Sequence, residues 1–105
     1  MNETTDITGP TLVAVSQLPG GVFFRVNSGL FITQDGKRFV RGTSQNGVAD
    51  ILGGFRGRGI ALETKTRRGK QEKSQRVFQG LWERSGNVYI IARSPEDAVS
   101  ALQAL

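Results

Sequence analysis

A chain of 105 residues has room for one compact domain with a modest hydrophobic core. It contains no cysteine and no histidine, which excludes disulfides, thiolate or imidazole metal ligands, and serine–histidine catalytic triads. Because both residue types are absent, any catalysis must depend on carboxylates, lysine, hydroxyl groups or a hard metal cation. The net charge of +5 favours a polyanionic partner.

The sequence contains nothing that resembles a membrane segment. No apolar run approaches the ~20 residues that a membrane span requires. The first eight residues include Glu3 and Asp6 and lack the basic start of a signal peptide. We therefore expect a soluble cytoplasmic protein with no membrane partner.

Residues 10–18 predict a short first helix, preceded by a flexible N-terminal segment over residues 1–9. Proline is favoured at the first helical position, where its missing N–H would have no partner, so Pro10 marks the start. The glycines after Pro19 end the helix. The side chains expected to be buried are Leu12, Val13 and Val15.

The middle of the chain contains several short runs typical of strands, from which three or four strands are expected. Residues 21–26 are rich in β-formers, and the short runs at 30–32 and 38–40 flank Asp35-Gly36, a dipeptide that favours a tight hairpin turn. Residues 48–52 and 59–65 form a second strand pair. A sharp reversal between them is expected at three glycines: Gly53, Gly54 and Gly57.

The last third of the chain predicts a helix, a strand and a final helix. Apolar residues recur at helical spacing from about residue 72 until Gly86, and Trp82 is expected to lie in the core or at a dimer contact. Residues 87–92 form an apolar run typical of a strand covered on both faces. Ser94 and Pro95 then start the last helix. The expected fold is a single-domain α/β sandwich over residues 10–105, with helices flanking a mixed central β-sheet.

Asp50, Glu63 and Lys65 form the candidate site for chemistry. Side chains alternate along a strand, so Glu63 and Lys65 share one face while Thr64 points to the other. A hairpin between the two strands would bring Asp50 close to Glu63, and two carboxylates there would bind a hard divalent cation. The cation would activate water at a scissile phosphate, with Lys65 adding positive charge. The alternative is a set of solvated strand-edge residues or ion pairs.

Basic residues are concentrated after this site, where they would supply salt-sensitive contacts to nucleic-acid phosphates. The tract at 65–76 contains no aromatic residue, so it suits DNA backbones better than stacked bases. We expect phosphate contacts from Arg67, Arg68 and Lys70. Four further residues are candidates for DNA contact or for solvated surface and loop positions: Arg25, Asn27, Arg41 and Ser44.

The order and spacing of these segments resemble the virus-type replication-repair nuclease (VRR-NUC) domain, a branch of the restriction-endonuclease-like PD-(D/E)XK superfamily. The resemblance extends over residues 21–102. The matching segments are FRVNSG at 24–29, DGKRFVRG at 35–42, GVAD at 47–50, LETK at 62–65, Gly69-Lys70 with Gln75, and IARSPEDA at 91–98.

This resemblance implies a restriction-endonuclease-like fold and an endodeoxyribonuclease that depends on Mg²⁺ or Mn²⁺. Asp50, Glu63 and the backbone carbonyl of Thr64 would be the metal ligands. Lys65 would be the catalytic lysine, and Gln75 would support the site. Stand-alone proteins of this kind look like homodimers that cut branched DNA, Holliday junctions in particular, and they often come from phages.

One feature departs from the family pattern. The family usually places a glutamate on its first helix, and residues 10–18 contain no acid. Glu3 is the nearest candidate by spacing, with Asp6 behind it, and either would serve only if the N-terminus folds back or crosses to a dimer mate. The second metal position of the family therefore depends on one of these two acids.

Two other functions are compatible with the sequence. One is a nucleic-acid-binding module of the same fold with weak or no cleavage, and the other is a regulatory dimer whose basic face binds an acidic protein. For a homodimer, the candidate contacts are the hairpin at residues 30–40, with Phe31 and Phe39, and the outer side of the helix that bears Trp82.

Overall fold

Three helices and six strands lie in the part of the chain that the computed structural model describes, residues 7–26, 30–41 and 45–105. In chain order they are α1 (Gly9–Ser16), β1 (Gly21–Arg25), β2 (Leu30–Ile32), β3 (Phe39–Arg41), β4 (Ile51–Phe55), β5 (Arg58–Thr64), α2 (Lys73–Arg84), β6 (Val88–Ala92) and α3 (Pro95–Gln103). The single-domain α/β class expected from the sequence is confirmed. No helix in these ranges is long and apolar enough to cross a bilayer.

The central sheet has four strands in the order β1-β4-β5-β6. β4 pairs antiparallel with both β1 and β5, whereas β6 runs parallel to β5, so the sheet is mixed as expected. A parallel pair needs a long crossover, and α2 supplies it between β5 and β6. The hairpin β2–β3 is a separate two-stranded sheet, which the sequence did not indicate.

Helices cover both faces of the central sheet. α1 and α3 pack on one face around Ile51, Ile60 and Leu62, and α2 packs on the other face, where Phe78 meets Ala61. β5 is therefore covered on both faces, and all its side chains from Ile60 to Thr64 are buried. Trp82 belongs to the second core, where its Nε1 donates to the carbonyl of Val88 at 2.8 Å.

The reversal between β4 and β5 differs from the prediction. Gly53 and Gly54 lie inside β4, and the turn is formed by Arg56 and Gly57, which have φ values of 50° and 85°. Gly53 pairs with Phe23 of β1, and a Cβ at Gly53 would overlap the Val22 carbonyl oxygen. Gly57 was correctly assigned to the turn. Gly53 and Gly54 were wrongly assigned to it because the close approach of β1 cannot be recognised from local sequence.

The first helix also differs in detail. Its buried side chains are Thr11 and Val15, while Val13 is 60% exposed. The helix begins at Gly9, and Ile7 and Thr8, which the sequence analysis placed in the flexible segment, are buried.

Several predictions concern residues outside the described part of the chain. These residues are Glu3, Asp6, Asn27 and Ser44. The described part also excludes the side chains of Phe31, Phe39 and Arg41, although their strands are defined.

Candidate functional site

Glu63 and Lys65 form a buried ion pair at the end of β5. Both side chains lie on the face covered by α2, with Glu63 1% and Lys65 6% exposed. The Nζ of Lys65 lies 3.6 Å from Oε2 of Glu63. Burial of a carboxylate requires an opposite charge or several hydrogen bonds, because its hydration is lost. The sequence prediction that these two residues share a face is confirmed.

Gln75 connects Glu63 to the N-terminus of α2. Its Nε2 donates to Oε2 of Glu63 at 3.0 Å, and its Oε1 accepts from the backbone N–H of Glu72 at 2.8 Å. The second bond belongs to the capping box of α2, so the helix terminus fixes which way the amide points. Gly47, with φ +74°, allows α2 to approach this closely, since a Cβ there would overlap the backbone of Ser74. The supporting contact expected of Gln75 is present.

Tyr89 of β6 contacts the other oxygen of the same carboxylate. Its hydroxyl donates to Oε1 of Glu63 at 3.4 Å and accepts from Nε2 of Gln71 at 3.2 Å. Burial and the charge of Glu63 raise the pKa of Tyr89 well above its ordinary value, and the charge of Asp50 adds to this effect. Sequence analysis missed Tyr89 and Gln71. Only the parallel pairing of Ala61 with Tyr89 brings this hydroxyl to Glu63.

Asp50 directly precedes β4 and hydrogen-bonds to Thr64. Its Oδ2 accepts from the backbone N–H and from Oγ1 of Thr64, each at 2.9 Å. The N–H of Lys65 donates to the carbonyl of Ala92 in β6, so the N–H of Thr64, one residue earlier, points toward β4. The β4–β5 pairing ends at Ile51 and Leu62, so no carbonyl of β4 accepts from the N–H of Thr64. The side chain of Asp50 accepts that hydrogen bond instead.

The Thr64 hydroxyl also bonds to Oγ1 of Thr8, a buried residue at the start of α1. Thr8, Thr64 and Asp50 therefore form one chain of hydrogen bonds that ties α1 to the end of the sheet. Thr8 was not singled out in the sequence, and no local pattern distinguishes it from the neighbouring threonines.

Asp50 and Glu63 occupy neighbouring positions at this end of the sheet. Ile51 pairs with Leu62, so Asp50 and Glu63 are the next residues along the same two strands. Within the described chain, Oδ1 of Asp50 accepts no hydrogen bond. The carbonyl of Thr64 points to the same side as its N–H, toward Asp50. Two carboxylates and a carbonyl are ligands typical of Mg²⁺ or Mn²⁺.

A larger acidic cluster is not present among the described residues. No group of three or more His, Cys, Asp or Glu side chains there could hold a metal ion. The donor set expected from the sequence, Asp50, Glu63 and Thr64, thus has two carboxylates from the described part of the chain.

Of the basic residues expected to contact DNA, four lie close to the candidate site in the chain or at the same end of the central sheet, and Arg41 does not. Arg67, Arg68 and Lys70 are exposed and follow Lys65 directly. Arg25 is exposed at the end of β1 and pairs with Ile51, so it lies at the same end of the sheet as Asp50. Arg41 ends β3 in the separate hairpin.

Comparisons with protein-family models, with curated proteins and with solved structures gave no match to this chain. Its function is therefore inferred from the chemistry of the site and from the resemblance in motif spacing.

Proposed function

We propose that this protein is an endodeoxyribonuclease that depends on Mg²⁺ or Mn²⁺ and cuts branched DNA as a homodimer with a restriction-endonuclease-like fold. The observation that carries this proposal is the meeting of Asp50, Glu63 and Lys65 at one end of β4 and β5. Glu63 and Lys65 are buried together, and Asp50 bonds to the residue between them. Burial of such a charged set is costly, and a catalytic role would explain it.

The donor oxygens of the site fit a divalent cation. Oδ1 of Asp50, the carboxylate of Glu63 and the carbonyl of Thr64 would hold it. A bound cation would supply a water of lowered pKa and neutralise charge on the scissile phosphate.

The protein's own residues would keep this site in order. Gln75 and Tyr89 hold the Glu63 carboxylate from both of its oxygens. Thr64 holds Oδ2 of Asp50 by two hydrogen bonds, which leaves Oδ1 available to a ligand. Lys65 neutralises Glu63 and would stabilise charge on the phosphoryl oxygens.

Substrate binding would come from the exposed cations beside the site. Arg67, Arg68 and Lys70 are exposed and form no ion pair with any described residue, so they are available to phosphates. Phosphate contacts provide affinity without sequence preference, which suits an enzyme that recognises DNA structure. The preference for junctions and the homodimer rest on the family resemblance.

Glu3 remains the proposed additional acid. Thr8 bonds to Thr64, so the chain enters α1 next to Asp50. Glu3 is five residues earlier, and five extended residues span about 17 Å. Chain length therefore permits Glu3 to reach the site.

A second candidate function is a DNA-binding module without cleavage. It is favoured by the two-carboxylate donor set and by the ion pair with Lys65, which already neutralises Glu63. This candidate predicts junction retention without a metal-dependent product.

A cleavage assay separates the two candidates. Labelled four-way junction, flap and linear duplex are incubated with Mg²⁺, with Mn²⁺ and with chelator. The wild-type protein should cut junctions only with a cation, Asp50→Asn should not cut, and Glu96→Gln, an exposed acid on α3, should cut normally. Junction binding without a product under either cation would refute the nuclease and leave the binding module.

Light scattering tests the dimer. A symmetric cut of a four-way junction needs two sites related by a two-fold axis. A monomeric mass with and without DNA would refute junction resolution and leave a nicking or flap-directed nuclease.

A further inference from the structure

The guanidinium group of Arg93 binds three backbone carbonyls of the segment that follows Lys65. Its Nη1 donates to the carbonyls of Thr66 and Gly69 at 2.7 Å each and to that of Arg67 at 3.3 Å. These bonds cross 24 to 27 residues of sequence. Arg93 forms no ion pair with any described residue.

The backbone on which Arg93 stands is itself fixed. Arg93 lies between β6 and α3, and its N–H donates to Oδ2 of Asp97 at 2.9 Å. Ser94 caps α3 by accepting from the N–H of Asp97 at 3.1 Å. The neighbouring carbonyl of Ala92 accepts from the N–H of Lys65. Ala92 therefore binds the end of β5, and the adjacent Arg93 binds the segment that follows it.

The segment held by Arg93 is a β-turn that presents two arginines. The N–H of Gly69 donates to the carbonyl of Thr66 at 3.0 Å, so Arg67 and Arg68 are its central residues. Both of their side chains are exposed, while the backbone beneath them faces the guanidinium group of Arg93. Two adjacent cations on a turn repel each other.

We infer that Arg93 is a positioning residue that holds the turn at residues 66–69 in one conformation, so that Arg67 and Arg68 contact phosphates of a DNA duplex beside the candidate site. The inference rests on the DNA-binding part of the proposed function and not on cleavage. Ordering a loop on binding costs affinity, and a loop that is ordered beforehand avoids that cost. The ligand is the sugar–phosphate backbone, because no aromatic residue accompanies these arginines for base stacking.

Arg93→Lys tests this role because it keeps the charge but places the donor nitrogen one bond nearer the backbone than Nη1, the single nitrogen that reaches all three carbonyls. Arg84→Lys, at an exposed arginine in the last turn of α2, is the matched control. Duplex affinity is measured against salt concentration with chelator present, so that no DNA is cut. Arg93→Lys should weaken binding about ten-fold with an unchanged salt slope, because the contacts persist but must be ordered first. Replacing Arg67 and Arg68 by alanine should lower the slope by about 1.8 units.

Adding Arg93→Lys to the variant that lacks Arg67 and Arg68 decides whether Arg93 positions the turn or contacts DNA directly. In the background that lacks both turn arginines, Arg93→Lys should change affinity less than about two-fold, because the turn no longer carries the contacts. Equal weakening in both backgrounds would overturn the inference.

Amide hydrogen exchange gives an independent measure of the turn. The Gly69 N–H should exchange faster in Arg93→Lys than in the wild type, and Arg84→Lys should leave its rate unchanged. An unchanged Gly69 rate in Arg93→Lys would overturn the inference, as would a wild-type protein that does not bind duplex. If binding and exchange follow the expected pattern while the separate cleavage assay with Mg²⁺ and Mn²⁺ gives no product, the inference is supported and the nuclease is refuted, so the two failures are distinguishable.

Discussion

Replacing Glu63 by glutamine removes one charge from the buried ion pair and leaves the shape of the side chain unchanged. In the wild type, Oε2 of Glu63 lies 3.6 Å from Nζ of Lys65 and accepts from Gln75 at 3.0 Å. Glutamine retains one acceptor oxygen for Gln75, but the ammonium group of Lys65 remains buried without a counter-charge. We therefore expect a loss of stability together with the loss of cation binding.

The size of this loss follows from the geometry. At 3.6 Å and an effective dielectric constant of about 20, the attraction between the two charges is about 5 kcal/mol. The variant no longer has to desolvate a carboxylate, which offsets part of this energy, while the bond from Gln75 weakens by about 1 kcal/mol. The free energy of unfolding should fall by about 3 kcal/mol, in the range typical for removing one partner of a buried pair. The thermal midpoint would then fall by roughly 15 °C.

The coupling energy between Glu63 and Lys65 is measured by urea denaturation of four proteins. These are the wild type, Glu63→Gln, Lys65→Met and the variant with both substitutions. Each single variant should lose about 3 kcal/mol, and the double variant should lose clearly less than their sum, because neither charge is then left alone. Glu83→Gln, at an exposed position on α2, is the control and should change stability by less than about 0.5 kcal/mol. Added Mn²⁺ should stabilise the wild type and the control but not Glu63→Gln.

Additive losses in the double variant would show that Glu63 and Lys65 do not act as a coupled pair. A Glu63→Gln variant as stable as the wild type would refute the argument from burial. If Mn²⁺ stabilises Glu63→Gln as much as it stabilises the wild type, Glu63 is not a ligand of the cation.

Asp50→Asn should keep the fold within about 2 kcal/mol, because an amide oxygen still accepts from the N–H of Thr64, and should lose stabilisation by Mn²⁺ in a melting assay. Tyr89→Phe should make the free energy of unfolding less dependent on pH, because tyrosine in the unfolded chain releases its proton near pH 10.0 whereas buried Tyr89 retains it. The folded state then binds more protons, so the wild type should lose stability relative to the variant as pH rises above 10 in urea titrations, by up to ~1.4 kcal/mol per pH unit. Gly53→Ala should destabilise the fold by about 2 kcal/mol in the same assay, because its Cβ would overlap the Val22 carbonyl oxygen.

Each of these three predictions has a matched comparison. A Mn²⁺-dependent rise in the melting temperature of Asp50→Asn equal to that of the wild type would remove Asp50 from the ligand set. A constant difference between Tyr89→Phe and the wild type from pH 8 to pH 11 would contradict a retained proton. Gly54→Ala, whose Cβ would meet Arg58 at an ordinary 3.6 Å, should be much milder than Gly53→Ala, and equal losses would contradict the steric argument.

The amino-acid sequence by itself determined the features that depend on a few neighbouring residues. Strand alternation placed Glu63 and Lys65 on one face, and the side-chain cap at Ser94 marked the start of α3. A reversal at Asp35-Gly36 was also predicted, and Gly36 has the positive φ that such a reversal requires, although the β-turn itself spans residues 33–36 with Gln34 and Asp35 at its centre. Composition excluded every site that needs cysteine or histidine.

The tertiary structure alone decided which distant residues meet at the site. Parallel pairing of β5 with β6 brings Tyr89 to Glu63 and Arg93 to the turn after Lys65, across 24 to 27 residues. The position of Gly53 inside β4 likewise follows from the approach of β1. Periodicity in sequence specifies which face a side chain occupies within its own strand. The order and register of strands depend instead on how all the elements pack together, and no single segment encodes them.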